Sequence, residues 1–312
     1  MRTVFLFPGQ GSQHPRMLKD YSLTDPIVAD IFSEVEQVLG EPVNKLDTKE
    51  RLASTVYAQV CLLIAGVISA RRLLSRGVKA DYVAGHSVGA FAAAVISGVL
   101  SFADALKLVW DRGTLMEQAY PKGYGMLAVI GFQLSRLQQI VNQHNQHHSI
   151  VYLSNINAAD QQVIAGEILS LNALAGILES AGIRKAQLLN LSVPSHCPLM
   201  QGVSTALKDR IAGLKLNESL IPYCSNYSGR VLTKAETIGD DLWKSIAATV
   251  KWFDATTLIY ESGVRIFIEV SPSGVLSKIA ASSFPEARIL SLDSGSLDTI
   301  SWLWHNSEAA YR

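Results

Sequence analysis

The sequence predicts an α/β fold with a mainly parallel sheet, interrupted by a smaller inserted unit. Strand-like and helix-like segments alternate in the first part of the chain, which is typical of a parallel sheet with helices on its faces. Between residues 124 and 194 the predicted order becomes βαββαβ, the order of a ferredoxin-like unit. The alternation then resumes with apolar strand-like segments at 221–224 and 265–270. We therefore expect the chain to leave the larger unit and return to it.

The first part of the chain opens with a buried strand. Residues 4–7 are an apolar run that Pro-Gly stops. Residues 59–69 are apolar nearly all round, which predicts a buried helix rather than a surface one. The predicted elements are strand 4–7, helix 26–39, helix 55–74, strand 82–84, a helix directly after residue 89, and helix 102–119.

The insert carries its own strands and helices. Its predicted elements are strand 125–130, helix 134–144, strands 150–153 and 162–165, helix 170–181 and strand 186–191. A unit of this size can form a subdomain with its own core. We therefore expect a large subdomain formed by residues 1–123 and 195–312, and a small one formed by residues 124–194. The tail from residue 293 has too little pattern to place.

Composition limits the classes of function. The 312 residues are 48% hydrophobic, which is ample material for a buried core. Lys plus Arg equals Asp plus Glu, 27 against 27, so no overall field attracts nucleic acid or an anionic membrane surface. Any anionic ligand must be held by local groups.

Cysteine usage and apolar run length predict the compartment. Cys61, Cys197 and Cys224 are widely spaced, which argues against a zinc site and against a disulfide framework. The longest uncharged apolar stretch, residues 88–100, is shorter than the roughly 20 residues that cross a bilayer. We expect a cytoplasmic protein with no membrane span, no signal peptide and no metal.

Residues 85–89 read Gly-His-Ser-Val-Gly, a G-x-S-x-G pattern between an apolar strand and an apolar helix. This is the setting of a nucleophile elbow, in which a sharp turn lifts the serine above the edge of the sheet. Flanking glycines let the backbone fold tightly, and the new helix N-terminus offers N–H groups to an oxyanion. Ser87 is therefore the candidate nucleophile, although the same pattern also occurs by chance in ordinary loops.

A serine nucleophile needs a base at neutral pH, and the chain has seven histidines. His196 lies where the insert returns the chain to the larger unit, on a loop that would face the elbow. The alternative is a solvated or core histidine without a catalytic role. His144, His147 and His148 lie in a polar part of the insert, where we expect them to be solvated.

Four motifs together resemble one enzyme family. They are Pro-Gly-Gln-Gly-Ser-Gln at 8–13, Gly-His-Ser-Val-Gly at 85–89, Arg-Gly at 112–113 and Val-Pro-Ser-His-Cys at 193–197. Their order and spacing are similar to those of malonyl-coenzyme A:acyl carrier protein transacylases, over nearly the whole chain. The resemblance implies a hydrolase-like α/β core with a ferredoxin-like insert and a site in the cleft between them.

The resemblance also implies the catalytic groups. Ser87 and His196 would form a dyad, with the imidazole oriented by the backbone carbonyl of Ser245. The oxyanion hole would consist of the backbone N–H groups of Gln10 and Val88. Malonyl-coenzyme A would acylate the serine, and the ester would pass to a phosphopantetheine-type thiol on a carrier protein. No permanently bound cofactor is implied.

Arg112 is the residue through which the resemblance implies malonyl selectivity. A planar guanidinium can grip a free carboxylate with two parallel hydrogen bonds. The alternative is an exposed helix arginine that pairs with Asp111 or Glu117. Further positions match residues around the family's acyl pocket, each with an ordinary packing or turn role as its alternative: Gln59, Met116, Asn157 and Ser195.

The motif around Ser87 also bears on which carrier protein accepts the malonyl group. Residues 85–91 read Gly-His-Ser-Val-Gly-Ala-Phe, which looks more like the transacylase (epsilon) subunit of bacterial malonate decarboxylase than like fatty-acid-synthesis members. We therefore expect the carrier subunit of malonate decarboxylase as acceptor. The alternative is a fatty-acid-synthesis transacylase of the same chemistry. A serine esterase or thioesterase and a non-catalytic scaffold are more distant alternatives.

Overall fold

The computed structural model describes residues 1–120 and 122–309. Its strands are Arg2–Phe7 (β1), Tyr82–Gly85 (β2), Tyr124–Ile130 (β3), Tyr152–Ala158 (β4), Gln161–Glu167 (β5), Lys185–Leu188 (β6), Tyr223–Cys224 (β7), Val231–Leu232 (β8), Val264–Glu269 (β9) and Arg288–Ser291 (β10). Its α-helices are Pro26–Leu39 (α1), Thr55–Ser75 (α2), Gly89–Ile96 (α3), Phe102–Ala119 (α4), Leu134–His144 (α5), Ile168–Ser180 (α6), Gln201–Ala212 (α7), Ala235–Lys244 (α8), Trp252–Glu261 (α9), Val275–Ser283 (α10) and Leu297–Ala309 (α11).

The larger sheet has the strand order β10-β9-β1-β2-β7-β8. Its neighbours pair in parallel, except that β8 runs antiparallel to β7. Strand β1 is buried at every position after its first residue, as expected of a central strand covered on both faces. The predicted α/β fold with a mainly parallel sheet is confirmed.

Helix α2 fills the core beside this sheet. It is long and apolar enough to cross a membrane by length and composition alone, but 78% of its most apolar window is buried inside the fold. Helices α3 and α4 pack against it. An apolar surface on nearly every side suits a helix surrounded by protein, so we interpret α2 as a core helix.

The second sheet is separate and antiparallel, with the order β4-β5-β3-β6. Because side chains alternate along a strand, its two faces differ. Leu127 and Val129 pack under α5 and α6, whereas Met126 and Ala128 point the other way and line a cleft. One face of this sheet therefore makes its own core and the other faces the larger sheet.

Some elements differ from their predicted bounds. Strand β4 continues to residue 158 because it pairs with β5 along its length and Ile156 N–H donates to the Val250 carbonyl. Helix α11 forms in the tail, where the sequence predicts no element. It is held by buried Ile300 and by Trp304, whose indole donates to Thr3 Oγ1 at 2.9 Å. Leu297 and Leu303 also pack against the core, but buried Ser301 and Ser307 interrupt the apolar face and weaken its helical pattern.

Helices α2 and α4 approach closely at Gly113. A Cβ built on Gly113 would lie 2.6 Å from Val56 Cα, which is backbone and cannot turn away. Glycine at this position therefore brings the preceding residue of α4, Arg112, close to α2.

Gly113→Ala should force the two helices apart. We expect the free energy of unfolding to fall by about 1–3 kcal/mol, the usual cost of overpacking a core, measured by urea denaturation. Gly176→Ala on α6 is the matched control, because nothing lies within 4 Å of a Cβ there. That control should gain about 0.5–1 kcal/mol from better helix propensity. An equal increase in the free energy of unfolding for both variants would contradict the close approach of α2 and α4.

Candidate active site

Ser87 lies in a sharp turn between β2 and α3. Its backbone is left-handed, with φ 53°, which is uncommon for a non-glycine residue. The two glycines of the motif are obligatory: a Cβ on Gly85 would overlap the backbone of Gly89, and a Cβ on Gly89 would overlap the carbonyl of Phe7. This is the geometry of a nucleophile elbow.

His196 contacts the serine directly. Ser87 Oγ lies 2.7 Å from His196 Nε2, and His196 Nδ1 lies 2.6 Å from the Ser245 carbonyl oxygen. Because a carbonyl can only accept, the proton resides on Nδ1 and leaves Nε2 as the acceptor for the serine hydroxyl. The structure thus brings together the serine, histidine and carbonyl that the sequence analysis assigned.

Burial lowers the pKa of His196 to about 3, with the positive charge of Arg112 as the second cause. The Ser245 carbonyl acts in the opposite direction, because it stabilises the protonated ring. A lowered pKa means that the ring is neutral throughout the physiological range. His196 is therefore in the protonation state that a general base requires.

Arg112 lies beside the nucleophile and is only 2% exposed. Its Nη2 donates to Ser87 Oγ at 3.2 Å, and its Nη1 donates to Gln59 Oε1. Its buried Nε has no hydrogen-bond partner among the described residues. Burial lowers the pKa of Arg112 to about 10, so the guanidinium remains charged at neutral pH.

The two carboxylates considered as partners for Arg112 are engaged elsewhere. Asp111 pairs with Arg210, and Glu117 accepts from Ser54 Oγ at 2.8 Å. Within residues 1–120 and 122–309, no carboxylate pairs with Arg112. A buried cation without an anion is costly, so the site fits an anionic group that arrives with a ligand.

The amides assigned to the oxyanion hole are free to donate. Among the described residues, the backbone N–H groups of Gln10 and Val88 have no protein acceptor. The Ser87 N–H is different, because it donates to Asn226 Oδ1 at 3.0 Å. Gln10 follows strand β1 and lines the cleft beside the serine.

The site opens into a cleft of about 470 Å³ between the two sheets. Polar groups come from the loops beside the parallel sheet and from Asn155, Asn157 and Gln161 of the antiparallel sheet. Apolar side chains come from β3, β5 and α10. Its lining includes Gln10, His86, Ser87, Arg112, Met126, Ala128, Asn157, Val163, Ser195, His196, Leu276 and Ile279.

Two residues predicted to line the pocket do not reach the cleft. Gln59 and Met116 lie behind Arg112, where Gln59 accepts from the guanidinium and its Nε2 lies 3.6 Å from Met116 Sδ. The Arg112 guanidinium bridges Gln59 and Ser87 Oγ, so Gln59 orients the group that lies beside the nucleophile.

His86 links the elbow to the antiparallel sheet. Its Nε2 lies 3.0 Å from Asn157 Oδ1 on β4, and its ring packs edge-on against Trp252. Burial lowers the pKa of His86, so the ring is neutral. The predicted pocket residue Asn157 thus lines the cleft and also ties the two sheets together.

Asn226 contacts the elbow, and the sequence analysis did not identify it. Its Oδ1 accepts from the Ser87 N–H, and its Nδ2 donates to the Gly85 carbonyl at 2.7 Å. A polar residue just after β7, beside the elbow strand in a parallel sheet, is the signal that could have identified it.

The expectation that His144 is solvated is wrong. Its ring is buried, with Nε2 2.8 Å from Ser170 Oγ, and it stacks on His148. The last turn of α5 folds back onto the start of α6 and covers the ring. His144 belongs to the packing of the insert.

The chain is similar to known acyltransferases over most of its length. Residues 4–294 match the family described as acyl transferase domain. A malonyl CoA-acyl carrier protein transacylase from Escherichia coli (strain K12) is 34% identical over 279 residues, covering 88% of this chain and 90% of the relative.

Solved structures share the fold. The malonyl CoA-acyl carrier protein transacylase from Coxiella burnetii matches with a TM-score of 0.90 and 31% identity, over 98% of this chain and 96% of that chain. A malonyl-transacylase in complex with a type II PKS acyl-carrier protein matches with a TM-score of 0.91 and 30% identity, over 96% and 99%.

The His196 ring should remain neutral, with its proton on Nδ1, from pH 8 down to pH 5. Histidine-selective ¹⁵N NMR reports both the charge and the tautomer, and His196→Gln assigns the signal. The reason is burial, which holds the pKa at about 3. A ring that becomes protonated above pH 6 would contradict a buried, neutral His196 that can act as a general base.

Proposed function

We propose, from the premise that this chain belongs to the malonyl-CoA:acyl carrier protein transacylase family and is an acyltransferase, that it moves a malonyl group from coenzyme A to a carrier protein through an ester on Ser87. The observation that carries the proposal is the buried Arg112 guanidinium, which lies 3.2 Å from Ser87 Oγ and has no carboxylate partner among the described residues.

The first half-reaction acylates the serine. Ser87 Oγ attacks the thioester carbonyl carbon while its proton moves to His196 Nε2. The carbonyl oxygen becomes an oxyanion that the N–H groups of Gln10 and Val88 stabilise. The tetrahedral intermediate then collapses, the carbon–sulfur bond breaks, and the coenzyme A sulfur leaves with the proton from His196. The Ser245 carbonyl stabilises the transient imidazolium.

The second half-reaction reverses these roles. The thiol of the carrier protein gives its proton to His196 Nε2 and attacks the ester carbonyl carbon. The carbon–oxygen bond to Ser87 breaks, and the serine recovers its proton from the histidine. The same two residues therefore serve both half-reactions.

Arg112 supplies the selectivity for a malonyl group. One methylene separates the malonyl carboxylate from the carbonyl that the serine attacks, so a carboxylate bound at Arg112 places that carbonyl near Ser87 Oγ. Gln59 holds Nη1 from behind and keeps the planar group oriented. An acetyl group would leave the buried charge unpaired, which is unfavourable.

We propose an acyl carrier protein of the fatty-acid-synthesis type as the acceptor. The names of the relatives in Escherichia coli and Coxiella burnetii contain acyl carrier protein, and a further similar structure holds one. The expectation of a malonate decarboxylase carrier depended on the motif at 85–91 alone. These relatives favour the alternative that the sequence analysis kept open.

The division of the chain is part of the same proposal. We assign residues 1–123 and 195–312 to a hydrolase-like subdomain and residues 124–194 to a ferredoxin-like one. The β4-β5-β3-β6 order of the antiparallel sheet supports this assignment, as does the position of the cleft between the sheets. A reducing, cytoplasmic compartment fits the three free, buried cysteines.

Brief exposure to malonyl-coenzyme A should give a single malonyl adduct by intact-mass spectrometry, and Ser87→Ala should give none. Holo acyl carrier protein should then remove the adduct and acquire it, whereas acetyl-coenzyme A should load poorly. Free malonate accumulating without a carrier would indicate a hydrolase. An unreacted protein with intact thioester would indicate a scaffold. Transfer only to a malonate decarboxylase carrier would overturn the proposed acceptor.

Arg112→Met should lower the preference for malonyl over acetyl thioesters by roughly 100-fold, the size expected for losing a buried charge pair. The measurement is the ratio of the two kcat/KM values. Arg265→Met is the control, because among the described residues the Arg265 guanidinium donates to the carbonyls of Tyr260 and Val264 and lies over the Tyr260 ring, and it does not line the cleft. An unchanged ratio in Arg112→Met would refute this account of selectivity.

A further inference from the structure

We propose that Asn226, held in place by the buried carboxylate of Asp241, is a positioning residue that fixes the strained backbone of Ser87 for attack. The inference rests on the proposed role of Ser87 as the nucleophile. It goes beyond that role, because neither Asn226 nor Asp241 reaches the reacting atoms.

The elbow needs an external support. A left-handed backbone at a serine is strained and persists only where the surroundings fix it. Asn226 binds the peptide groups on either side of His86: Nδ2 donates to the Gly85 carbonyl and Oδ1 accepts from the Ser87 N–H. One side chain therefore fixes both ends of the turn.

Sheet pairing explains why an asparagine suits this position. Strands β2 and β7 pair in parallel at Val83 with Tyr223 and at Ala84 with Cys224, and the backbone ladder ends there. The Asn226 side-chain amide offers both an N–H donor and a carbonyl acceptor, as a peptide group does. Its side chain thus continues the pairing beyond the last backbone bridge, to the point where β2 turns.

Asp241 holds the loop that presents this amide. Its Oδ1 accepts from Ser225 Oγ and from the Tyr227 N–H, and its Oδ2 accepts from Tyr223 Oη and from the Asn226 N–H. The carboxylate is 2% exposed, and no cation pairs with it among the described residues. Four hydrogen bonds to one carboxylate leave the loop little freedom.

Asn226 and Asp241 affect the rate of acylation of Ser87 rather than the binding of malonyl-coenzyme A. Together they place Ser87 Oγ within reach of His196 Nε2 and Arg112 Nη2. Without Asn226, the elbow can relax and move Oγ, while the guanidinium and the cleft walls remain. Small displacements of a reacting atom can lower rates by as much as 100-fold. A purely structural residue would instead change stability and leave the rate of the folded enzyme intact.

The matched control is Asn145. In the insert, its Nδ2 donates to the Val151 carbonyl at 2.9 Å and its Oδ1 accepts from the Val151 N–H at 3.0 Å, the same pair of bonds far from the elbow in the chain. Asn226→Ala and Asn145→Ala therefore remove equivalent bonds. Thermal unfolding of both variants measures the structural cost.

The experiment is single-turnover formation of the malonyl adduct at varied malonyl-coenzyme A. Asn226→Ala should acylate roughly 30-fold to 100-fold more slowly at saturation, with half-saturation within about 3-fold of wild type. Asn145→Ala should acylate at the wild-type rate per folded molecule. Asp241→Asn should shift the rate in the same direction as Asn226→Ala, because an amide presents its NH₂ to two donors.

Asn226→Asp adds a pH readout and keeps the side-chain volume. A neutral carboxyl can accept from Ser87 N–H and donate to the Gly85 carbonyl, whereas the anion cannot donate. Acylation by this variant should therefore rise as pH falls from 8 to 5, while wild type changes little. Asn226→Asp therefore tests the positioning role even if Asn226→Ala does not fold.

The outcomes distinguish the proposed function of the chain from the positioning role of Asn226. No adduct on wild type overturns the proposed function, and with it the premise of the positioning role. A normal wild-type adduct with Asn226→Ala within 3-fold of its rate overturns the positioning role alone, as does an Asn226→Asp pH profile parallel to that of wild type. Slow acylation by Asn226→Ala, normal acylation by Asn145→Ala and an Asn226→Asp rate that rises as pH falls together support it.

Discussion

The site depends on a buried positive charge that lacks an anion. Arg112 is covered by protein, and its protein partners near the cleft are neutral: the Gln59 amide and the Ser87 hydroxyl. Desolvation makes such a cation costly. The close approach of α2 and α4 at Gly113 brings Arg112 near α2, where Gln59 accepts from its guanidinium. A ligand carboxylate would supply the missing charge beside the nucleophile. Burial is the main cause of the lowered pKa of His196, and the charge of Arg112 lowers it further, so the cation that would bind the substrate also favours the neutral base.

Groups from several elements converge on the strained turn at Ser87. The elbow at Ser87 is reached from both sheets: the loop after β1 contributes the Gln10 amide, and β4 contributes Asn157 to the ring of His86. The loop after β7 contributes Asn226. These groups come from distant parts of the chain, and the parallel sheet brings their strand ends to one edge. A preorganised site of this kind needs no large rearrangement to stabilise an oxyanion.

Local signals made much of the fold predictable. The predicted bounds of α1 and α4 match the structure, in which Asp25 and Ser101 cap the two helices. The elbow was also visible, because its pattern lies in adjacent positions of the chain. Asn226 was not, because it contacts Ser87 across 139 residues and only strand pairing makes them neighbours. Gln59 was assigned to the pocket because the sequence does not show that the Arg112 guanidinium lies between Gln59 and Ser87.

A crystal structure of the protein trapped as its malonyl ester, after a malonyl-coenzyme A soak without carrier protein, would show whether Arg112 binds the malonyl carboxylate. We expect an ester on Ser87 whose free carboxylate accepts two hydrogen bonds from Arg112, each about 2.7–2.9 Å long. The ester carbonyl oxygen should face the N–H groups of Gln10 and Val88. An ester whose carboxylate points to solvent, with Arg112 still bound only to Gln59 and the serine oxygen, would rule out this role of Arg112.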